Sequence, residues 1–153
     1  MTDKTAHPSD SSKQREIEQL IVSEISKKEN LKFETKKSIN IKDVVFEFDF
    51  YNEEKKIIGE IYAGIEKISA GSRKKVITDC FKMVYAEKLI DSPCIKRLIF
   101  VDKNIEKVFT GKSWAAKAII EFGILIDVIE IPEESMNELI ATRELQKKGN
   151  QQK

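Results

Sequence analysis

The sequence predicts an α/β domain on a mixed sheet, antiparallel at its start and crossed by helices later. Three observations carry this. Residues 44–50 (Val-Val-Phe-Glu-Phe-Asp-Phe) alternate from Val45 onward, and 56–63 read as a return strand after the polar reversal at 51–55. Residues 97–102 form a short apolar run, the pattern of a central strand covered on both faces. Apolar residues at helical spacing recur before and between these strands.

In order along the chain, residues 1–12 are a polar leader expected to be disordered, as are 147–153, which leaves 13–146 as a single domain. Residues 13–29 read as a helix with Ile17, Leu20, Ile21 and Ile25 on its apolar face. At ~100° per residue Glu24 falls inside that arc. Two readings stay open for it: a rim glutamate reaching solvent, or a carboxylate aimed at a site.

In the hairpin, Phe46, Phe48 and Phe50 share one face, and Glu47 and Asp49 the other. Residues 32–39 are a candidate further edge strand. A loop at 69–72 precedes helix 73–90, with Ser72 as its N-cap. Val76, Ile77, Cys80, Phe81 and Val84 form the apolar arc of that helix, and Lys74, Lys75, Thr78 and Lys82 face the other way. Helix 113–122 starts at Ser113, buries Trp114, Ile119 and Phe122, and ends at Gly123. Strand 124–131 closes at Pro132. Helix 134–146 turns Met136, Leu139 and Ile140 inward.

Composition narrows the chemistry. Lys+Arg 27 against Asp+Glu 26 gives a net charge of +1, so any basic binding site is a local patch. The one histidine, His7, lies in the leader, which disfavours a Ser-His-Asp triad or a histidine-rich zinc site. Cys80 and Cys94 are too few and too widely spaced for zinc, and read as reduced thiols. The most apolar stretch, 115–131, carries Lys117, Glu121, Asp127 and Glu130, so it is no membrane span. With no apolar stretch in the leader, the expectation is a soluble cytoplasmic protein.

The hairpin holds the most informative constellation. A reversal near 52–54 pairs residues whose numbers sum to about 107 or 108, which sets Asp49 opposite residue 58 or 59 and within a step or two of Glu60. Like charges facing each other across a sheet destabilise it, and a divalent cation between them removes the penalty. Hard oxygen ligands of this kind suit Mg²⁺ or Mn²⁺. The simpler reading is a wet sheet face that displays Glu47, Asp49 and Glu60 to solvent. Against it, the helices that follow need a sheet to cover. Beyond the hairpin come a loop and a dense set of cations: Lys67, Arg73, Lys74, Lys75 and Lys82. An acidic pair, a loop and a basic helix face together suit phosphodiester chemistry.

On these residues the chain resembles the PD-(D/E)XK, or restriction-endonuclease-like, nuclease superfamily, in particular its uncharacterised bacterial members. The likeness covers roughly residues 15–131. Asp49 matches the superfamily's Asp, Gly59-Glu60-Ile61-Tyr62 its acid-x-Lys strand, and Glu24 its first-helix glutamate; Lys67 and the run Lys74-Lys75-Val76-Ile77-Thr78-Asp79 add to the resemblance. It implies a three-layer fold with a central mixed sheet, an N-terminal antiparallel hairpin and flanking helices. It also implies a Mg²⁺- or Mn²⁺-dependent nuclease acting on DNA, with Asp49 and Glu60 as metal ligands and Glu24 as a third acid. Lys74, Lys75 and Lys82 would contact phosphate. One departure is plain: Tyr62 stands where the triplet has Lys, so a lysine must arrive from elsewhere, with Lys67 favoured over Lys75. Otherwise the domain is a catalytically degenerate relative that binds nucleic acid or protein. A nucleotide- or small-ligand-binding α/β domain is a third reading, without a Gly-rich loop to support it. At this size a nuclease is expected to work as a homodimer, because one small domain covers little duplex.

Overall fold

The computed structural model describes residues 8–134 together with 137, 138, 141 and 145. Helix α1 (Pro8–Glu29) leads into a hairpin of β1 (Ser38–Ile41) and β2 (Val44–Glu47). A second hairpin, β3 (Phe50–Asn52) and β4 (Ile57–Tyr62), is followed by α2 (Ala70–Ile90) and β5 (Ile95–Phe100). Then come α3 (Lys103–Val108), α4 (Trp114–Glu121) and β6 (Ile124–Val128). The main sheet has the order β3-β4-β5-β6, with β3 antiparallel to β4 and the other pairs parallel. The mixed α/β architecture is the one the sequence predicts, and β5 is an inner strand, as its apolar run requires.

Two clusters of buried side chains lie on the two faces of the sheet. Ile17, Ile21, Val22 and Ile25 of α1 pack with Phe50, Ile57, Ile61 and Ile99. Val76, Cys80, Met83 and Ala86 of α2 pack with Ile58, Leu98 and Phe100, and α3 and α4 add Ile105 and Ile119. Alternate residues of β4 thus go to opposite layers, which leaves Glu60 on the α2 side with Ile58.

Several expectations are corrected. Helix α1 begins at Pro8, where a proline is tolerated because the first-turn N–H groups have no intrahelical partner, so residues 8–12 belong to the helix. The stretch 44–50 is two strands. It breaks at Phe48-Asp49, which sends Phe46 and Phe48 to the α2 layer and Phe50 to the α1 layer. The β1–β2 hairpin turns at Lys42-Asp43, both at positive φ (50° and 69°), as a two-residue turn matched to strand twist needs. The expected edge strand at 32–39 is a single bridge, Glu34 to Tyr51, followed by β1. Ser69 caps α2 in place of Ser72, its hydroxyl accepting from Ser72 N at 3.0 Å. Ser113 caps α4 as expected. Helix α3 was not anticipated, although Asp102 signals it by accepting from Asn104 N at 2.7 Å.

Ile119 is buried as expected, whereas Trp114 and Phe122 are exposed. A short helix turns only one side to the sheet, and Ala116 and Ile119 occupy it. Both cysteines are free thiols. Helix 134–146 falls mainly on residues outside the described ones, Met136, Leu139 and Ile140 included.

Candidate active site

The site forms where β3 begins. The β3–β4 register pairs Phe50 with Gly59, which continues to Asp49 level with Glu60, one step beyond the register the sequence suggests. Gly59 permits this close pairing: a methyl group there would overlap the fully buried Phe50 ring. Because β3 starts at Phe50, the Ile61 N–H has no strand partner, and Asp49 Oδ2 accepts it at 2.8 Å. In return Asp49 N donates to Glu60 Oε2 at 3.3 Å. The two carboxylates are therefore locked together by main-chain hydrogen bonds at the junction of both helical layers.

Each layer contributes cations. From the α2 side, Lys82 Nζ stands 3.2 Å from Glu60 Oε2 and donates to the Glu47 carbonyl at 2.8 Å. Lys75, Asp79 and Lys82, spaced i, i+4 and i+7, form one stripe of α2. Asp79 bridges the two lysines, at 3.1 Å from Lys75 and 3.7 Å from Lys82. From the α1 side, Lys36 Nζ sits between Asp49 Oδ1 and Glu18 Oε1, 2.9 Å from each. The Glu18 contact is an ion pair off the hydrogen-bond direction. Lys36 is held there by its main chain, at φ 51° with its N–H on the Phe48 carbonyl at 3.1 Å. A hollow of about 380 Å³ opens beside Asp49, walled by Arg15, Glu18, Gln19, Thr35 and Lys36.

The electrostatics are strained in one direction. Glu60 is 3% exposed, and burial, then repulsion by Asp49, pushes its carboxyl up to about 8 against the pull of Lys82. Glu18 is raised as well, by burial first and by Asp49 second. Lys36 is raised although burial opposes it, because Asp49 and Glu18 favour its charge. Lys75 behaves alike: burial opposes, and Asp79 and then Asp49 and Glu60 prevail. The Cys80 thiol beneath is driven up to about 12 by burial and by Asp79 and Glu60, so it stays protonated and unreactive.

The expected residues separate into two groups. Asp49, Glu60, Lys75 and Lys82 come together. Glu24 does not: it is exposed on α1, and Glu18 is the first-helix carboxylate beside Asp49. Lys67 lies exposed in the loop after β4, and Lys74 is exposed on α2; among the described contacts neither reaches Asp49 or Glu60. Tyr62 follows Glu60 on the same face, but its ring turns onto Gly64 and Phe100. Lys82 therefore supplies the ammonium at Glu60. Comparison with family models, curated proteins and solved structures finds no match.

Glu18, Lys36 and Asp79 were not singled out by sequence reasoning. The i, i+4, i+7 spacing of Lys75, Asp79 and Lys82 carries a legible signal for Asp79. Lys36 sits in irregular chain and carries none. Among the described residues no three His, Cys, Asp or Glu side chains converge as a ready-made metal cage. The donor set at the junction is two hard carboxylates, one of them buried at the cost of its ionisation. That chemistry suits a hard divalent cation completed by water or substrate oxygens.

Proposed function

We infer that the chain is a divalent-cation-dependent phosphodiesterase acting on DNA, on a restriction-endonuclease-like fold. The observation that carries the reading is the mutual locking of Asp49 and Glu60 with the Lys82 ammonium 3.2 Å from Glu60. Glu60 is buried and raised beside the Lys82 ammonium, and Glu18 is raised at the wall of the hollow; carboxylates perturbed in this way are a recurrent mark of functional sites. The three-layer arrangement, with α1 on one face of the sheet and α2, α3 and α4 on the other, supports the fold assignment.

In this reading Asp49 and Glu60 would hold Mg²⁺ or Mn²⁺. The cation would activate water and stabilise charge on the reacting phosphate. Glu18 is the third acid, in the place expected of Glu24. Lys82 takes over from the missing triplet lysine: its ammonium offsets charge developing on the phosphate, whereas the phenol of Tyr62 carries no positive charge to offer. Lys75 and Arg15 stand on the two sides of the carboxylate pair and supply phosphate contacts. Lys36 neutralises Asp49 and Glu18 when no other cation does so.

The test is cleavage of single-stranded and duplex DNA with Mn²⁺. Wild type is expected to cleave. Lys82→Ala is expected to lose about 10²-fold or more in rate, the usual cost of removing one transition-state charge contact, with DNA binding retained. Tyr62→Lys in the Lys82→Ala background should restore part of the rate. Tyr62 favours one other reading. If wild type is inactive and Tyr62→Lys alone gains activity, the domain is a degenerate nuclease fold that binds nucleic acid or protein. If no variant cleaves, the nuclease reading is wrong.

A further inference from the structure

Two cavities flank the segment 34–38, one on each face of the sheet edge. The hollow beside Asp49, about 380 Å³, lies on the α1 side, with Arg15, Glu18 and Gln19 of α1 along one wall and Thr35, Lys36 and Glu47 along the other. A second groove, of about 580 Å³, lies on the α2 side, bordered by Leu89 and Ile90 at the end of that helix. Lys37, Lys42 and Lys56 line it against Glu34 and Glu53, and Tyr51 supplies an aromatic ring. The segment between them is the margin of the sheet, because Glu34 bridges to Tyr51 at the outer side of β3. Residues 34–38 are exposed at every position, so no described element covers the way from one cavity to the other.

We propose that the substrate is single-stranded DNA that turns round this edge, with one unpaired nucleotide in the hollow and its neighbour stacked on Tyr51 in the groove. This rests on the cleavage reading of the Asp49–Glu60 site and narrows it to one form of DNA. Three observations carry it. The carboxylates are recessed: Glu60 is 3% exposed, and the hollow is what leads to Asp49. Taken as a cube the hollow is ~7 Å on an edge, room for one nucleotide, whereas a duplex is a rod whose major groove alone is about 12 Å wide. The path also turns sharply. A duplex holds its direction over about 150 bp, whereas a single strand is free to turn at each nucleotide.

The third observation is chemical. In the hollow, Glu18 Oε1 is buried and accepts no hydrogen bond among the described residues, which offers an acceptor to a base amino group or a sugar hydroxyl. In the groove, lysines beside an aromatic ring are the backbone-tracking and base-stacking combination that holds single strands. The Tyr51 ring stacks on Phe48 at 6.4 Å, and Lys82 Nζ lies 5.3 Å from the centroid of that same Phe48 ring. The groove is thereby joined to the ammonium of the carboxylate site.

The experiment uses a fluorescein-labelled 20-nucleotide DNA, alone or annealed to its complement, and the full chain. Binding is read by anisotropy with Ca²⁺, and cleavage with Mn²⁺. The single strand is expected to bind at least tenfold more tightly than the duplex at 100 mM KCl and to be cut at least tenfold faster. Gln19→Trp, at an exposed position of α1, fills the hollow and should lower single-strand affinity at least tenfold while Mn²⁺ still binds. Lys42→Ala combined with Lys56→Ala should flatten the log–log salt dependence of single-strand binding, by ~0.7 per lysine. Equal handling of the two forms, or a preference for the duplex, overturns the inference and leaves the cleavage reading standing. So does single-strand binding that either variant leaves unaltered. Single-strand binding that follows both variants, with neither form cut, upholds the path and overturns the cleavage reading. Binding of neither form overturns both.

Discussion

Glu60 is held where a carboxylate is costly, and the cost can be read through pH. Its folded pKa of about 8 lies above the ordinary value of 4.5, so the folded state binds the extra proton between those pH values. Stability therefore falls as pH rises from about 4.5 to 8, and the full penalty is present above 8. Glu60→Gln should stabilise the protein by on the order of 1–3 kcal/mol at pH 8.5 and by little at pH 4.5, checked by urea unfolding at both values. A gain that is equal at both pH values, or a loss at pH 8.5, would contradict this account of the site. Lys36 gives a second expectation. Its ammonium already occupies the space between Asp49 and Glu18. Lys36→Met should therefore tighten Mn²⁺ binding by roughly tenfold, and Lys37→Met, one residue along and exposed, by no more than about twofold. Equal effects in titration calorimetry would make Lys36 merely one more nearby charge.

The pairing of Asp49 with Glu60 was legible because hairpin register is simple arithmetic, and an error of one residue still leaves the two adjacent. Glu18 was hidden by helical phase. Taking Leu20 into the apolar arc of α1 turns that arc toward Glu24. The structure buries Val22 and leaves Leu20 42% exposed, which brings Glu18 to the sheet side and turns Glu24 out.

At the level of elements, the run 44–50 shows why alternation alone misleads. Its period is perfect, yet the chain kinks at Phe48-Asp49 and the ring of Phe50 crosses to the opposite layer. What fixes the second hairpin is the fit of Phe50 over Gly59, with the Arg97 guanidinium 5.7 Å from the same ring. Gly59→Ala should destabilise the fold by about 1–3 kcal/mol, because the buried ring has no room to retreat. It should also weaken Mn²⁺ binding, since Asp49 and Glu60 are the next pair in that register. Thermal unfolding with and without Mn²⁺ separates the two effects. Helix α2 ends at Ile90 as expected but begins at Ala70, three residues early, and its phase differs from the expected one. Apolar residues wrap far enough round it that the sequence alone does not say which of them meet the sheet. The same excess leaves the Phe81 face exposed.

Across the whole molecule, α1 packs on one face of the sheet and α2 on the other, and the Asp49–Glu60 junction lies where both reach its first strand. Glu18 and Lys36 approach Asp49 from one side, Lys75 and Lys82 approach Glu60 from the other, and the carboxylate pair lies between the two sets. The layering was readable from the alternation of strands and helices; the convergence was not, because it depends on where α1 and α2 cross the sheet. The most direct measurement is Mn²⁺ binding by electron paramagnetic resonance, made on wild type and on Asp49→Asn at pH 6 and pH 8. The account predicts a bound Mn²⁺ in wild type, held up to about tenfold more tightly per pH unit as Glu60 gives up its proton, and lost in Asp49→Asn with the fold retained. Failure of wild type to bind Mn²⁺ at millimolar concentration, or equal binding by Asp49→Asn, would contradict it.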